Sequence, residues 1–298
     1  MSPAYTDYLS NHNITTMKRY LTIFTAVVAL LCFYACKTDG GTTGDTGGGG
    51  NVVKSPVPLN ITIFLDLSDR LDRQMVPSQM ERDTAIIHKL IEHFKNHCVE
   101  EKILPARDHI KVVFYPAPQN PNIVQWANNL EVDMGKMPKN GSKKKALLDM
   151  KGQFDTSLSA IYKETLDAKQ WIGCDVWDFF SNKKVDVQCI REDYRNIIVI
   201  LSDGFFYYAP NKIKVGNSFS FVLPQTLAVP GSSLICKRKG LSDLEVLVLE
   251  VNPYSPAQRD RLFDVLTTWF TDMEVGKLNI VQTDLPSNVA TYIEDFLK

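Results

Sequence analysis

The chain has almost no net charge: 33 Lys and Arg stand against 34 Asp and Glu in 298 residues, a formal charge of −1. A surface without a dominant sign has no long-range field to draw in nucleic acid or an acidic bilayer. No GxGxxG follows a strand-like run and no GxxxxGK[ST] occurs, so the common glycine loops for nucleotide phosphates are lacking. HExxH and GxSxG are missing as well, which removes two frequent hydrolase signatures. Cys98, Cys174, Cys189 and Cys236 form no CxxC pair, so neither a zinc ribbon nor a thioredoxin-type motif is expected. Cys174 with Cys189 would close a short loop, but spacing alone does not fix a disulfide.

What is present begins at the N-terminus. Residues 17–36, MKRYLTIFTAVVALLCFYAC, read as a secretion signal, with Lys18 and Arg19, an apolar run and Ala35 before Cys36. The run is about fifteen residues, short of the roughly 20 that a membrane-spanning helix needs. FYAC resembles the lipobox of bacterial lipoproteins, with Phe33 where Leu is usual, which implies lipidation at Cys36. CKTDGG resembles the export signals of some surface-displayed Gram-negative lipoproteins. Residues 37–56 are rich in glycine and nearly devoid of apolar side chains, so they read as a tether of roughly 25 Å root-mean-square span. The expected organisation is 1–36 upstream residues and signal, 37–56 tether, and one domain over 57–298. Its expected place is the bacterial cell envelope, at the outer membrane or cell surface, held by the N-terminal lipid.

Within the domain, strand and helix patterns alternate. Strands are expected at 61–67, 109–115, 196–202, 244–251 and 277–283, and helices at 78–101, 157–170, 255–273 and 287–298. KIKVGNSFSFVL reads as a hairpin. In the first helix Ile87, Leu90, Ile91, Phe94 and Cys98 fall on one stripe. Strands that are apolar throughout are buried on both faces, as in parallel sheets covered by helices. The fold class is therefore α/β, a doubly wound, mostly parallel Rossmann-like sheet.

Ligands of such sheets bind outside the strands' carboxyl ends, where strand order reverses. Two strands end in short oxygen-bearing residues there. NITIFLDLSDRL runs into Asp66 and Ser68, and IIVILSDGFF runs into Asp203. Thr156, in GQFDTSLSAI, stands just ahead of the expected helix and is equally placed to cap it. This pattern resembles the von Willebrand factor A domain family, with its metal-ion-dependent adhesion site. The resemblance implies Asp66, Ser68, Thr156 and Asp203 as metal ligands. It implies Mg²⁺ as the cofactor, and a partner protein that presents an acidic group to the metal. Neither nucleotide nor nucleic acid is an expected partner, and the chain is not expected to be an enzyme. A hydrolase using Asp66 and Asp203 around a metal would need a base or nucleophile that the strand ends do not supply.

Arg70 departs from the family pattern, standing where a second Ser is expected. A guanidinium donates and never accepts, so it cannot ligate a cation. It has three places to go: outward, onto Asp69 or Asp72, or into the metal position, where it would make a cation-free anion receptor. The last leads to the alternative reading, a metal-free structural or assembly component of the envelope. Phe205, Phe206, Tyr207 and Tyr208 follow Asp203 and form a candidate partner-binding patch. KNGSKKK (139–145) reads as a solvated loop, and His93 and His97 as exposed residues of the first helix.

Overall fold

The computed structural model describes residues 56–169, 171–205 and 238–298, with the backbone of two short strands between them. Cys36, residues 37–55 of the tether, Phe206, Tyr207, Tyr208 and Cys236 lie outside the described residues. The strands are β1 (Leu59–Leu65), β2 (His109–Val113), β3 (Glu131–Asp133), β4 (Arg195–Leu201), β5 (Ile213–Val215), β6 (Ser218–Ser220), β7 (Leu244–Val251) and β8 (Lys277–Gln282). Six of them form one sheet in the order β3-β2-β1-β4-β7-β8. All neighbours run parallel except the edge strand β3, which is antiparallel to β2. β5 and β6 pair as the expected antiparallel hairpin. With that hairpin set aside, the order is the doubly wound 3-2-1-4-5-6, reversing between β1 and β4.

Side-chain alternation along the strands divides the core in two. Ile61, Ile63 and Leu65 of β1 join Ile197, Val199 and Leu201 of β4 on one face. There they meet α1 (Gln79–Glu100), α3 (Gly141–Ala168) and α7 (Pro286–Leu297). Phe64, Ile198, Ile200, Val246 and Val248 point to the other face, towards α4 (Val176–Ser181), α5 (Lys184–Cys189) and α6 (Pro256–Asp272). Phe180 centres this second layer, with Phe179, Trp269 and Phe270 rings edge-on or tilted 5.5–5.9 Å away. No helix among the described residues is long and apolar enough to cross a membrane.

Local chemistry explains where the helices begin. Ser78 caps α1 through a capping box: its hydroxyl accepts from the Glu81 N–H, and the Glu81 carboxylate accepts from the Ser78 N–H. Asn140 caps α3, its Oδ1 accepting from the Ser142 N–H. This corrects the expectation for 139–145 and 157–170. KNGSKKK is the start of a 28-residue helix, and Lys143 is buried, donating to the Leu104 and Ala106 carbonyls. The stripe Leu147, Met150, Phe154, Leu158, Ile161 runs unbroken from just beyond KNGSKKK into the expected helix, past Gly152. The short elements β3, α4, α5 and α2 (Pro121–Ala127) carry too few residues to show a period.

Gly276 sits where β8 begins beside the Ser242 turn, and a Cβ there would lie 2.2 Å from the Ser242 carbonyl oxygen. Backbone must move to admit any side chain. Gly276→Ala is expected to lower the unfolding free energy by about 1–3 kcal/mol in urea titration; an unchanged midpoint would contradict this packing.

Candidate functional site

β1 and β4 are neighbours at the point of strand reversal, so their carboxyl ends open onto one crevice. Asp66 and Ser202 meet there directly. The Ser202 hydroxyl donates to Asp66 Oδ2 at 2.7 Å, and the Ser68 N–H donates to Oδ1 at 2.8 Å. The chain leaves β4 through Gly204 (φ 88°), whose N–H returns to the Ser202 hydroxyl at 3.2 Å. A Cβ at Gly204 would press on Leu262 at 3.0 Å and Val251 at 3.2 Å, so glycine is required by conformation and space alike. Ser68 caps a single 3₁₀ turn, Asp69–Asp72, that follows β1.

That turn drives Arg70 inward. Its side chain is 1% exposed. Nε donates to the Asp66 carbonyl at 3.0 Å and lies 3.7 Å from Asp66 Oδ2. Nη1 and Nη2 clasp the Asp83 carboxylate of α1 at 3.3 and 2.7 Å. Tyr162 of α3 donates its hydroxyl to the same carboxylate at 2.7 Å, and Gln79 adds a donor at 3.0 Å. Gln79 also reaches Glu250, which Arg82 holds with two bonds at 2.7 and 3.0 Å. Glu250 can turn into this network because β7 is irregular there: the pairing with β8 shifts register between Val248 and Val251, and Glu250 takes φ 70°. Of the three places open to Arg70, it takes the interior one.

Asp203 ends β4 just beyond. Its Oδ1 accepts from the Phe205 N–H at 3.0 Å, and Arg73 pairs with Oδ2 at 2.7 Å. Arg73 in turn donates to the Tyr254 hydroxyl at 2.7 Å with its guanidinium carbon 4.9 Å from that ring's centre. Phe205 lies 5.8 Å from the Tyr254 ring. The buried group contains the carboxylates of Asp66, Asp83, Glu250 and Asp203, and the guanidiniums of Arg70, Arg82 and Arg73. One negative charge is left over. At the strand ends, burial raises Asp66 despite the pull of Arg70, and burial plus the nearby Asp66 charge pushes Asp203 up to about 6.

Thr156 is not part of this group. It lies in the middle of α3, exposed, with its hydroxyl donating to the Gly152 carbonyl of its own helix at 2.9 Å. Mg²⁺ wants near-octahedral oxygen at about 2.1 Å. Both Asp66 oxygens accept protein hydrogen bonds, Asp203 is paired, the threonine is elsewhere, and guanidinium stands beside the carboxylate. The residues present do not fit that ion.

No protein-family model matches the chain. No curated protein matches it in sequence either.

Two other groups of possible ligands come together among the described residues: His97, Glu101 and Asp108, and His109, Glu131 and Asp133. His93 and His97 are half-buried rather than exposed, and His97 Nδ1 sits 2.8 Å from Asp108. Cys98, Cys174 and Cys189 are buried free thiols, so no disulfide links the last two. Sequence reasoning missed Gln79, Arg82, Asp83, Tyr162, Glu250 and Arg73. A usable signal existed for three: Gln79, Arg82 and Asp83 continue the stripe of Ile86, Ile87 and Leu90 at helical spacing. Polar residues on an apolar stripe must find partners inside.

Two outcomes follow. Arg70→Met leaves Asp83 and Asp66 without their counter-charge and should cost about 3–5 kcal/mol in urea unfolding. Arg70→Met with Asp83→Leu should recover most of that; a loss below about 1 kcal/mol for the single variant would place Arg70 at the surface. The second concerns Asp203, whose folded pKa lies above its unfolded value of 3.8. The folded state then binds the extra proton, so this residue's contribution improves as pH falls from 7 towards 4. The stability of Asp203→Asn minus that of wild type should fall by up to about 3 kcal/mol over that window, and a flat difference would contradict the shift.

Proposed function

We propose that residues 57–298 form a von Willebrand factor A-like binding domain, carried on a lipidated Cys36 and a glycine-rich tether. Its strand-end face grips an acidic group of a partner protein through arginine, with no divalent cation. Support for the family likeness comes from the strand order, the antiparallel edge strand and the placement of Asp66, Ser68 and Asp203 around one crevice. The cation-free form rests on a single observation: the buried Arg70, clasped by Asp83 and set against Asp66, supplies the positive charge that a metal would otherwise bring.

The face around it is suited to contact. Arg73 is partly open to solvent while pairing with Asp203, so a partner carboxylate can use its remaining donors or replace Asp203 as its mate. Val76 is 100% exposed, Tyr254 75% and Leu285 64%. They sit in the loops that leave β1, β7 and β8, all on the carboxyl side of the sheet. An arginine set against an exposed aromatic ring, on a face that also exposes Val76 and Leu285, has the composition of an interaction hot spot. Tethering suits such a face, since a flexible lead of roughly 25 Å lets it search for a partner near the membrane.

The test uses a photo-crosslinking amino acid at Val76 in the full chain, in membranes, with a matching probe at Leu148 on the exposed side of α3. The Val76 probe should capture a discrete envelope protein in the presence of EDTA, and Arg73→Glu should abolish that capture. Equal capture at Leu148, or capture that requires added Mg²⁺, would defeat the proposal.

A further inference from the structure

Beside the strand-end crevice, on the β2 side of β1, the fold leaves a cleft of about 280 Å³. It is walled by the turn after β2, by α2, by the last turns of α3 and by the loop beyond α3. That loop is fixed in place: the Ile172 and Gly173 N–H groups donate to the Leu67 carbonyl at 3.1 and 3.3 Å, tying it to the chain that leaves β1. Most of the wall is apolar. Ile123 is buried, Trp171, Ile172 and Pro116 are half-buried, and exposed Ala117 and Ala168 mark where the cleft meets solvent.

Three of the four polar side chains in the lining bond within the chain. The Asn120 oxygen accepts from the Asn122 N–H at 2.9 Å, and its amide donates to Glu164 Oε1 at 2.8 Å. Thr165 donates its hydroxyl to the Ile161 carbonyl of its own helix at 2.8 Å, and the Gln119 amide donates to the Ala117 carbonyl at 3.2 Å. The fourth, Glu164, is the one charged residue of the lining. Asn120 holds one of its oxygens, and the other has no partner among the described residues. Lys163, next to it in the chain, is engaged with Asp167. A half-buried carboxylate held once, by a neutral amide, is short of donors, because an ionised carboxylate accepts about four hydrogen bonds. What the cleft offers a ligand is therefore an acceptor bearing a full negative charge. An aromatic wall favours the same kind of guest, a cation.

Size sets the rest. A cavity of about 150 Å³ takes up benzene, so about 280 Å³ takes a molecule of roughly a dozen non-hydrogen atoms. We propose that this cleft binds a small organic cation, an ammonium carried on an aromatic or branched apolar stem. The ammonium pairs with Glu164, and the stem packs against Trp171, Ile172 and Ile123. Asn120 is a positioning residue, holding the carboxylate from the α2 side. The cleft and the strand-end face select opposite charges: arginine there faces an anion, whereas carboxylate here faces a cation. Leu67 joins the two walls, but Glu164 alone chooses the charge of this occupant, so the site stands or falls separately from the strand-end reading.

The experiment titrates the full chain with phenethylamine by calorimetry and tryptophan emission, beside its neutral and anionic counterparts, phenethyl alcohol and hydrocinnamate. The amine should bind one to one, and both counterparts at least tenfold more weakly. Glu164→Gln keeps an oxygen for Asn120, so it should melt as wild type does and bind the amine at least tenfold more weakly. Ala168→Trp, which keeps the charge and fills the mouth, should block binding. Trp171→Phe should retain the binding heat and lose the change in emission. A cleft already filled by another part of the chain would leave the amine no room, and absence of binding at millimolar amine would overturn the proposal. Equal binding of the alcohol, undiminished binding in Glu164→Gln, or an emission change that persists in Trp171→Phe would each overturn it as well.

Discussion

Everything at the strand reversal depends on one ion pair, the buried clasp between Arg70 and Asp83. It joins the turn after β1 to the first helix, and through Tyr162 it brings in α3 as well. A guanidinium taken fully out of water is tolerable only when its donors are met. Here Nε is met by the Asp66 carbonyl and both terminal nitrogens by Asp83. Such a pair need not add much net stability, because desolvation offsets attraction. Its consequence is positional: with Arg70 fixed, the loop that would have to open for an ion is closed.

The same clasp sorts the remaining charges into an inside and an outside. Arg82 and Glu250 are held within, the latter by an unusual backbone turn in β7. Arg73 is left at the rim with Asp203, under a tyrosine ring. The interior set keeps one uncompensated negative charge; burial raises Asp66, and burial together with the nearby Asp66 charge raises Asp203. Arg73 is left partly open to solvent at that rim, and Tyr254, whose hydroxyl it holds, is 75% exposed.

Much of this was legible from the residues. Apolar strands of β1, β4 and β7 announced a parallel sheet buried on both faces, and Asp66, Ser68 and Asp203 marked its open end. Thr156 misled because Gly152 and polar neighbours imitate a loop, whereas a long apolar stripe overrides one glycine that costs about 1 kcal/mol. Glu250 could not be found, since an acidic residue in an apolar strand gives no hint that a register shift will turn it inward. The partners of His109 were equally hidden: its Nδ1 faces Asn60, which Asn196 orients, and these meet only when β1, β2 and β4 lie side by side.

The central claim is that guanidinium stands where a metal ion would. The most direct measurement is a crystal structure of the chain soaked in Mn²⁺, with anomalous difference maps around the ends of β1 and β4. The account predicts Arg70 in place between Asp66 and Asp83, with no anomalous peak within coordination distance of Asp66, Ser68 or Asp203. A manganese ion bound by Asp66 and Ser68, with Arg70 swung into solvent, would contradict it.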